Sequence, residues 1–596
     1  MKQLTYRIKG QSVRIRVVET ERDLPEFEEF IWRHEILGFD TETTGLDWWS
    51  EDFRLRLAQF GSESEAYVVP ADLGQPFRGA VRNALERVPW LVAHNGGFDL
   101  HVVETCLGIP MEDLASKVWD TKLIAHLVDP RAVKERGPGL KLEELVKFYL
   151  DPVTAEEVKG SMTALAQKYK TTKEKIWPLV ELFDESYLRY AGMDPVLAIR
   201  LFKLLYPLVP IRSKAQGLIG WEHRLAHVTA IMERTGYLLD VGYAEKRASE
   251  LLLEQTKWEE VVKSYGIENP NSNAQLITAF TDLGIVLTKK TKKGNLALDD
   301  DVLQSISHPM AEAVVRARKA SKWRATWFLK ALEGRDAENR VRASINSLQA
   351  RTGRMTISGT IAAQTFPKGS GYVRNMFLAE EDHVSVSIDF GNMELRFLAA
   401  YCRDPTMLDA FLNGKDLHQI TADAAGAARN DGKRANFLTV FGGGWQALVA
   451  GGGIDEPIAK RVLEAFARTY PGVGVFAKKL SAEARRTGYV WTVTGRRVPV
   501  DPGKWFRALN YFIQSGSRDV TARAILELHK AGYSEFMRLP IHDELIFSFP
   551  KKHAVEMARE AARIMEFRVN GLLIPAEAEI GHRSWGSILD MEASKH

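Results

Sequence analysis

The sequence lacks the features that mark secreted, zinc-binding or membrane proteins. Its 596 residues contain only two cysteines, Cys106 and Cys402, which excludes a disulfide framework and a cysteine-based zinc site and indicates a reducing compartment. No apolar run approaches the roughly 20 residues that span a membrane, and the N-terminus has no apolar core of signal-peptide length. We found no internal repeat and no long low-complexity tract. We therefore expect a cytoplasmic protein with no membrane contact.

Positive and negative charges are also nearly balanced, with 80 Lys and Arg against 77 Asp and Glu. The net charge is +3, with 26% charged and 45% hydrophobic residues, which is typical of a soluble globular protein. A net positive charge of this size is too small to indicate a nucleic-acid partner without other signals. The length suffices for three or four domains of ordinary size.

The stretch DHVSVSIDFGNMELR (382–396) carries the first chemical signal. Alternation of Val384, Val386 and Ile388 predicts a strand with one buried face that ends at Asp389, before a helix that begins at MELR. A carboxylate held rigidly at a strand end suits Mg²⁺, which prefers oxygen ligands and takes few protein carboxylates. The alternative is that Asp389 merely caps the following helix.

A second carboxylate pair lies about 150 residues later in LPIHDELIFSFP (539–550). Two apolar runs interrupted by a polar pair predict a β-hairpin with its turn at His542–Asp543. Adjacent carboxylates such as Asp543 and Glu544 are costly to bury in an apolar segment unless a cation neutralises them. A solvated Asp-Glu turn is the alternative.

Between these two segments, KRANFLTVFGG (433–443) has helical periodicity. Lys433, Phe437 and Phe441 share one face, and Arg429 lies one turn earlier on the same face. Two cations followed by two aromatic rings would suit a nucleoside triphosphate, which has an anionic chain and a flat base. An amphipathic helix with aromatic residues in the core is the alternative.

The N-terminal third holds further carboxylates. Asp40 and Glu42 end the apolar strand ILGFDTE and lie two residues apart, so they face the same side and can reach one ion. A second apolar strand, WLVAHNGGFDL, leads to Asp99. In the helical segment ESYLRYAGMDPVL, Tyr190 and Asp194 lie one turn apart on one face. Taken singly, these segments could be a strand–turn, a loop and a helix that ends before the following proline.

Together these motifs resemble family A DNA polymerases joined to a DEDD-type 3′–5′ exonuclease. DFGNMELR is similar to motif A (DYSQIELR), KRANFLTVFG to motif B (KxxNFGxxYG) and IHDE to motif C (VHDE), and the N-terminal carboxylates match the exonuclease variant with a YxxxD motif. The resemblance implies an α/β and α+β multidomain fold, with a ribonuclease-H-like exonuclease domain followed by a right-hand polymerase domain. It predicts these domains: exonuclease 1–210, thumb with the start of the palm 211–345, first part of the palm 346–404, fingers 405–480, and second part of the palm 481–596.

The same resemblance assigns metal ligands and catalytic groups. Asp389 and Asp543, with Glu544 beside them, would hold two Mg²⁺ ions at the polymerase site, for which Mn²⁺ could substitute. Two divalent ions at the exonuclease site would be held by Asp40, Glu42, Asp99 and Asp194, and Tyr190 would orient the attacking water.

It also assigns contacts to nucleotide and DNA. Arg429 and Lys433 would bind the triphosphate, Lys433 would protonate the leaving group, and His418 would lie near the β-phosphate. Phe437 would stack on the incoming nucleotide, Phe441 would lie at the template base, and Glu394 would exclude a ribose 2′-hydroxyl. The candidate contacts to primer–template DNA are Arg354, Arg374, Asn510, Gln514 and His542, together with a lysine cluster at Lys289, Lys290, Lys292 and Lys293, for which a solvated loop is the alternative.

Two positions depart from the family pattern. Leu438 replaces the glycine that follows the motif B phenylalanine, and Phe441 replaces a tyrosine. The short interval between His418 and Arg429 predicts compact fingers, and no room remains upstream for a 5′-nuclease domain, so we expect a monomeric, phage-type replicase that acts on primer–template DNA and deoxynucleoside triphosphates. A single-subunit RNA polymerase, disfavoured by Glu394, and a nuclease whose polymerase half only grips DNA are the alternatives.

Overall fold

A seven-stranded mixed sheet forms the centre of the first 210 residues in the computed structural model, which describes residues 1–172, 175–291, 294–367 and 369–589. Its strands lie in the order β1-β2-β5-β4-β3-β6-β7. The strands are β1 Lys2–Ile8, β2 Gln11–Val17, β3 Ile36–Thr43, β4 Leu55–Gly61, β5 Glu65–Pro70, β6 Trp90–Ala93 and β7 Val118–Asp120. Every residue of β4 is buried, because helices cover both faces of the sheet.

The helices that cover this sheet fall into two layers with separate apolar cores. One core joins α1, α2 and α3 to the face that carries Phe39 and Phe60, and the other joins α5, α7 and α8 to the face that carries Ile15 and Leu57. The helices are α1 Leu24–Trp32, α2 Gln75–Arg87, α3 Gly97–Leu107, α4 Met111–Ala115, α5 Thr121–Val128, α6 Leu142–Leu145, α7 Pro152–Lys168, α8 Glu185–Leu208 and α9 Ile211–Ala215.

Helix α8 lies unusually close to the sheet because glycine faces its backbone. A Cβ atom added to Gly38 in β3 would lie 1.9 Å from the carbonyl oxygen of Pro195, well inside contact distance. The helix continues through Pro195 rather than ending before it, which rules out the alternative interpretation of the YAGMD segment as a helix end. The close approach brings Asp194 against the strand that carries Asp40 and Glu42.

Helix α10 joins the two halves of the chain. It spans Leu218–Thr235 and contributes Leu218 and Ile219 to an N-terminal core, but Leu225, Val228 and Met232 to the largest, C-terminal core. A separate four-helix cluster follows, with its own small core. Its helices are α11 Val241–Lys263, α12 Asn273–Asp282, α13 Asp300–Ser305 and α14 Pro309–Trp323, and α14 continues through a π-helical turn, Arg324–Leu329, into α15 Lys330–Glu333.

Two residues of the predicted lysine cluster, Lys289 and Lys290, lie in the connection between α12 and α13. Lys289 pairs with Asp299 at 2.8 Å, and Lys290 forms an isolated bridge to Leu296. Lys292 and Lys293 lie outside the described residues, so the cluster as a whole stays a prediction.

A four-stranded antiparallel sheet, in the order β16-β17-β13-β20, forms the centre of the C-terminal half. The remaining strands are β8 Tyr237–Leu239, β9 Arg340–Val341, β10 Ala343–Asn346, β11 Thr356–Gly359, β12 Phe377–Leu378, β13 His383–Phe390, β14 Tyr489–Trp491, β15 Arg497–Pro499, β16 Met537–Ile541, β17 Glu544–Pro550, β18 Phe567–Val569, β19 Leu572–Ile574 and β20 Ala576–Ile580. The predicted hairpin with its turn at residues 542–543 is confirmed.

Strand β13 differs from its prediction in one respect. We expected one buried face, but Ser385 and Ser387 on the other face are also buried, at 0% and 5% exposure. The cause is tertiary, since β13 is an inner strand with cover on both faces, and its serine hydroxyls have partners: Ser385 Oγ donates to the carbonyl oxygen of Arg583 at 3.0 Å.

The other helices of this half surround the sheet or form a compact group beside it. They are α16 Gly371–Arg374, α17 Met393–Cys402, α18 Pro405–Leu412, α19 Leu417–Ala425, α20 Arg429–Val440, α21 Trp445–Gly452, α22 Glu456–Thr469, α23 Pro471–Thr487, α24 Ala508–Lys530 and α25 Ala554–Met565. Helices α20, α21 and α22 share a small core of their own, in the region predicted to be the fingers.

We predict that Gly38→Ala destabilises the N-terminal domain. The added methyl group has no space against the Pro195 carbonyl, so β3 and α8 must separate, which should cost at least about 1–3 kcal/mol. Urea unfolding followed by near-UV circular dichroism would measure this loss. Gly45→Ala is the matched control, because a Cβ there meets nothing within 4 Å. Equal unfolding midpoints for the two variants would contradict the packing argument.

Candidate active sites

Three carboxylates converge at the edge of the N-terminal sheet. Strand β3 presents Asp40 and Glu42 on one side, and α8 brings Asp194 against them, so that one ligand oxygen from each lies within 4.8 Å of the other two. The i, i+2 spacing predicted that the first two could reach one ion, and the structure brings them together as expected.

Asp99 lies beside this group rather than within it. It is in the first turn of α3, where its Oδ1 accepts a hydrogen bond of 2.6 Å from the Thr41 hydroxyl. Its charge nevertheless contributes to raising the pKa values of both Asp40 and Glu42. All four predicted carboxylates therefore share one electrostatic environment.

The electrostatics of this group indicate a cation site. Burial is the main cause that raises the pKa values of these carboxyl groups, and for Asp40 and Glu42 the repulsion between neighbouring charges adds to it. The pKa values of Asp99 and Asp194 rise to about 7. Burial and mutual repulsion both disfavour the charged forms of these carboxyl groups. A divalent ion bound by their oxygens would offset the cost of burial and the cost of repulsion.

Tyr190 lies one turn before Asp194 and hydrogen-bonds to it. The charge of Asp194, followed by burial, raises the pKa of the Tyr190 phenol well above its usual value, so the hydroxyl stays protonated at neutral pH. The phenol lines a cavity of about 610 Å³ that also reaches Asp40 and Asp194. The i, i+4 prediction for these two residues is confirmed geometrically.

Sequence reasoning missed several residues at this site. Asp120 accepts hydrogen bonds of 3.0 Å from the backbone N–H groups of Asn95 and Gly96, and so fixes the loop that leads to Asp99. Lys122 lines the same cavity as Tyr190. A signal was available for Asp120, because it is an acidic residue at the end of the short strand β7, but nothing in the sequence distinguished it from a helix cap.

The second carboxylate site lies on the C-terminal sheet. Asp389 in β13 pairs directly with Glu544 in β17, and the Phe390 N–H donates to the carbonyl oxygen of Asp543 at 3.3 Å. Backbone pairing thus places the strand-end carboxylate beside the hairpin turn. His542 adopts a left-handed conformation, with φ at +60°, which allows the tight turn.

The charges at this sheet edge also repel one another. The carboxylate of Asp389 is open to water on one side and enclosed by protein elsewhere, and burial followed by the charges of Asp543 and Glu544 raises its pKa to about 8. Burial likewise raises the pKa of Asp543. Glu544 accepts a hydrogen bond from the Ser387 hydroxyl. These donors also fit a divalent ion.

A cavity of about 340 Å³ opens beside the hairpin turn. It brings together six of the predicted site residues: Arg354, Glu394, Phe437, Phe441, His542 and Asp543. Within it, the Arg354 guanidinium forms an ion pair with the Glu394 carboxylate, which sequence reasoning did not predict. Burial nevertheless raises the pKa of Glu394.

Helix α20 presents the predicted stripe toward this cavity. The rings of Phe437 and Phe441 are nearly parallel, with centroids 6.4 Å apart, and Lys433 is exposed one turn before them. Arg429 at the helix start donates from Nε to Asp416 at 2.5 Å. On the neighbouring α19, the His418 ring lies 5.7 Å from that of Phe437.

Leu438 points away from that stripe. It packs against the core shared by α20, α21 and α22, and it lies so close to Gly443 that a Cβ there would approach Leu438 Cδ1 to 2.4 Å. The substitution of a large residue for the family glycine therefore comes with a glycine at the position it contacts.

The predicted DNA-contacting residues lie on different elements. Gln514 on α24 accepts a hydrogen bond of 3.4 Å from the Thr352 hydroxyl, and Asn510 lies one turn earlier and is nearly buried. Arg374 has internal partners, since it donates to the carbonyl oxygens of Pro367 and Ser370 at 2.7 and 3.1 Å. Its predicted phosphate contact stays a prediction.

A buried ion network connects α10 with this site. Arg518 on α24 donates to both carboxylate oxygens of Glu222, at 2.8 and 2.7 Å, and Arg496 pairs with Glu222 and, at 3.0 Å, with Asp519. Glu222 is fully buried, and the two guanidinium groups lower its pKa to about 2. The signal was absent from the sequence, because the partners lie about 270 to 300 residues apart in the chain.

Comparisons with known proteins agree with the two-part organisation of the fold. Residues 242–587 match the family model described as DNA polymerase family A, and residues 15–210 match a model described as 3'-5' exonuclease. The chain is 45% and 43% identical to DNA polymerases of Mycobacterium phages L5 and D29, in each case over 99% of both chains. It is 29% identical to DNA polymerase I of Treponema pallidum, over 83% of this chain and 51% of that protein.

A solved structure has a similar fold. The POL domain of Pol1 from M. smegmatis, in complex with DNA primer-template and dNTP, superposes with a TM-score of 0.75 at 20% identity, over 96% of this chain and all of that one. The predicted fold class, an exonuclease domain followed by a polymerase domain, is confirmed. No helix in the described part of the chain is long and apolar enough to cross a membrane.

We predict that Glu222→Gln destabilises the chain by about 3–5 kcal/mol, because it removes one of the two carboxylates that Arg496 and Arg518 share and leaves two buried guanidinium groups with Asp519 alone. Because the folded-state pKa is depressed, the contribution of Glu222 is present above about pH 4.5 and is lost as pH falls toward 2. Thermal and urea unfolding would measure the loss. Glu464→Gln, at an exposed position of α22, is the control, and equal stabilities would contradict the prediction.

We also predict that divalent ions stabilise the protein more at pH 8 than at pH 5.5. The folded-state pKa values of Asp99, Asp194 and Asp389 are raised, so without an ion these groups cost stability as pH rises from about 4 through 7 to 8. A bound ion removes that cost. The measurement is the shift in melting temperature caused by Mg²⁺ or Mn²⁺ at both pH values, and equal shifts would contradict the assignment.

Proposed function

This chain belongs to DNA polymerase family A, and from that premise we propose a template-directed DNA polymerase that extends a primer 3′ end and removes mispaired ends through its 3′–5′ exonuclease domain. One observation carries the polymerase assignment. Strand pairing places Asp389 beside Asp543 at the edge of a cavity that the aromatic stripe of α20 also lines. Metal-assisted phosphoryl transfer needs the oxygen ligands, and the aromatic rings beside them would hold a nucleotide base.

Asp389 and Asp543 would hold two divalent ions at the polymerase site, with Glu544 beside them. The ions, when bound, would lower the pKa of the primer 3′-hydroxyl and neutralise the departing pyrophosphate. We propose Mg²⁺ as the physiological ion and Mn²⁺ as a substitute, because all the donors are carboxylate oxygens. The pairing of β13 with β17 sets Asp389 opposite Glu544, and the Phe390 N–H bonds to the carbonyl oxygen of Asp543, so the backbone holds the three acidic residues near one another.

The stripe on α20 would bind the incoming deoxynucleoside triphosphate. Phe437 would stack on its base, while Lys433 and Arg429 would contact the phosphates, and Lys433 would donate a proton to the leaving group. His418 would approach the β-phosphate from α19, since its ring already lies beside Phe437. Phe441, which is 39% exposed, would meet the template base.

Glu394 and Arg354 would control which sugar and which base pair are accepted. The ion pair holds the Glu394 side chain at the cavity wall, where it would exclude a 2′-hydroxyl group. Arg354 would change partners when DNA binds and donate to minor-groove acceptors that all base pairs share. Gln514, Asn510, His542 and Arg374 are the further proposed contacts to primer–template DNA.

Hydrolysis would take place at the N-terminal site. Asp40, Glu42, Asp99 and Asp194 would hold two divalent ions, and the protonated Tyr190 hydroxyl would orient the attacking water. Both sites lie within one chain, which supports a monomer as the functional unit. Similarity to two mycobacteriophage DNA polymerases over nearly the whole length of both chains, at 45% and 43% identity, supports a role in replication of phage DNA.

We predict that Asp543→Asn reduces primer extension about a thousandfold or more and leaves 3′-end shortening intact, because only the polymerase ligands lose a charge. Asp194→Asn should do the reverse. The measurement is a gel assay on a recessed primer–template with Mg²⁺, run with and without deoxynucleotides.

The same assay tests the alternatives. Extension with ribonucleotides at the deoxynucleotide rate would indicate an RNA polymerase, and shortening without any extension by the wild-type chain would leave only a nuclease. Extension that survives Asp543→Asn would contradict the role of that residue.

A further inference from the structure

Two cavities meet at the carboxylates of the N-terminal site. The first, of about 730 Å³, extends from Asp40 toward the polymerase half and reaches Lys330 and Ser358. The second, of about 610 Å³, extends from Asp40 past Tyr190. Four residues line both cavities and so mark the neck between them: Asp40, His94, Asn95 and Lys122.

Lys122 places a positive charge at this neck. Its Nζ donates to Asn95 Oδ1 at 2.8 Å and to Asn346 Oδ1 at 2.7 Å. Both partners are neutral amide oxygens, and among the ion pairs of the described residues Lys122 has none. Burial lowers the pKa of its ammonium group, which only the more distant charges of Asp120 and Glu233 offset.

The backbone beneath Lys122 is held firmly. Asp120 caps α5 by accepting a hydrogen bond of 2.8 Å from the Lys122 N–H, and the neighbouring Thr121 hydroxyl lies 2.9 Å from Nδ1 of His94. The side chain is therefore presented from a fixed point. Its partner Asn346 belongs to β10 of the polymerase half, so the contact also crosses between the two halves of the chain.

An ammonium group that is hydrogen-bonded only to amide oxygens would bind an anionic partner more strongly, because hydrogen bonds between charged groups are about twice as strong as those between neutral groups. The strand that reaches the carboxylates carries one negative phosphate per nucleotide. A cation at the neck would attract such a phosphate directly, whatever its base sequence.

We propose that Lys122 binds a backbone phosphate of the DNA strand that lies across the neck, and that Asn346 holds it in place until the strand arrives. This inference rests on the proposed exonuclease function. It adds a substrate-binding residue to that site and gives the polymerase half a direct contact with it. On binding, Lys122 exchanges the Asn346 amide for a phosphate oxygen.

The test compares three variants in 3′-end shortening of a single-stranded oligonucleotide with Mg²⁺. Lys122→Gln should raise KM about tenfold with a smaller change in kcat, because a charged hydrogen bond to substrate is lost. It should also make the salt dependence of KM shallower by about 0.7 in a log–log plot, as expected for one phosphate contact to a single strand. Lys122→Arg should retain the steep salt dependence, and Asn346→Ala should leave KM near or below the wild-type value.

Lys134→Gln, at an exposed position of the same domain, is the charge-matched control and should behave as wild type. Primer extension by each variant shows that the polymerase half remains folded. If Lys122→Gln and Asn346→Ala lose activity equally with unchanged salt dependence, Lys122 is only a clamp between the halves and the proposal fails. A wild-type KM for Lys122→Gln would also overturn it. Absence of shortening by the wild-type chain would instead refute the exonuclease function itself.

Discussion

Repulsion between carboxylates is the constraint on which both sites depend. Each site gathers acidic groups whose pKa values are raised by burial and by the neighbouring charges. Such a cluster persists only where the backbone structure holds its members together. At the C-terminal site, strand pairing between β13 and β17 provides that force. At the N-terminal site it comes from the close contact between α8 and β3. The folding energy of two sheets thus maintains an arrangement that divalent ions then stabilise.

The two halves are joined by buried polar contacts rather than by a flexible linker. Glu222 on α10 forms ion pairs with two arginines of the polymerase half, and the adjacent His223 accepts a hydrogen bond of 2.8 Å from the Asp120 N–H in the exonuclease domain. One helix therefore touches the supporting structure of both sites. Separating these buried charged groups would leave them unpaired away from water, which is costly. The relative position of the two halves is therefore well defined at this joint.

Much of each site could be predicted because its residues lie in short, periodic segments. Alternation predicted β13 and its terminal Asp389, and helical spacing predicted the stripe on α20 and the Tyr190–Asp194 pair. The burial of Ser385 could not be predicted, because it depends on elements distant in sequence that cover the second face of the sheet. The same holds for the Arg354–Glu394 pair, since no local pattern relates residues 40 positions apart.

The glycine contact between β3 and α8 has a consequence for how this domain tolerates sequence change. Where side chains separate two elements, substitutions can be compensated by repacking, and the spacing drifts as sequences diverge. Here backbone contacts backbone, and no side chain between them can repack. The contact between Gly38 and the Pro195 carbonyl therefore sets the shortest distance between β3 and α8. Side chains elsewhere in the domain can then vary widely while the spacing of the carboxylates stays constant. The constraint on sequence falls on the few positions that form this contact.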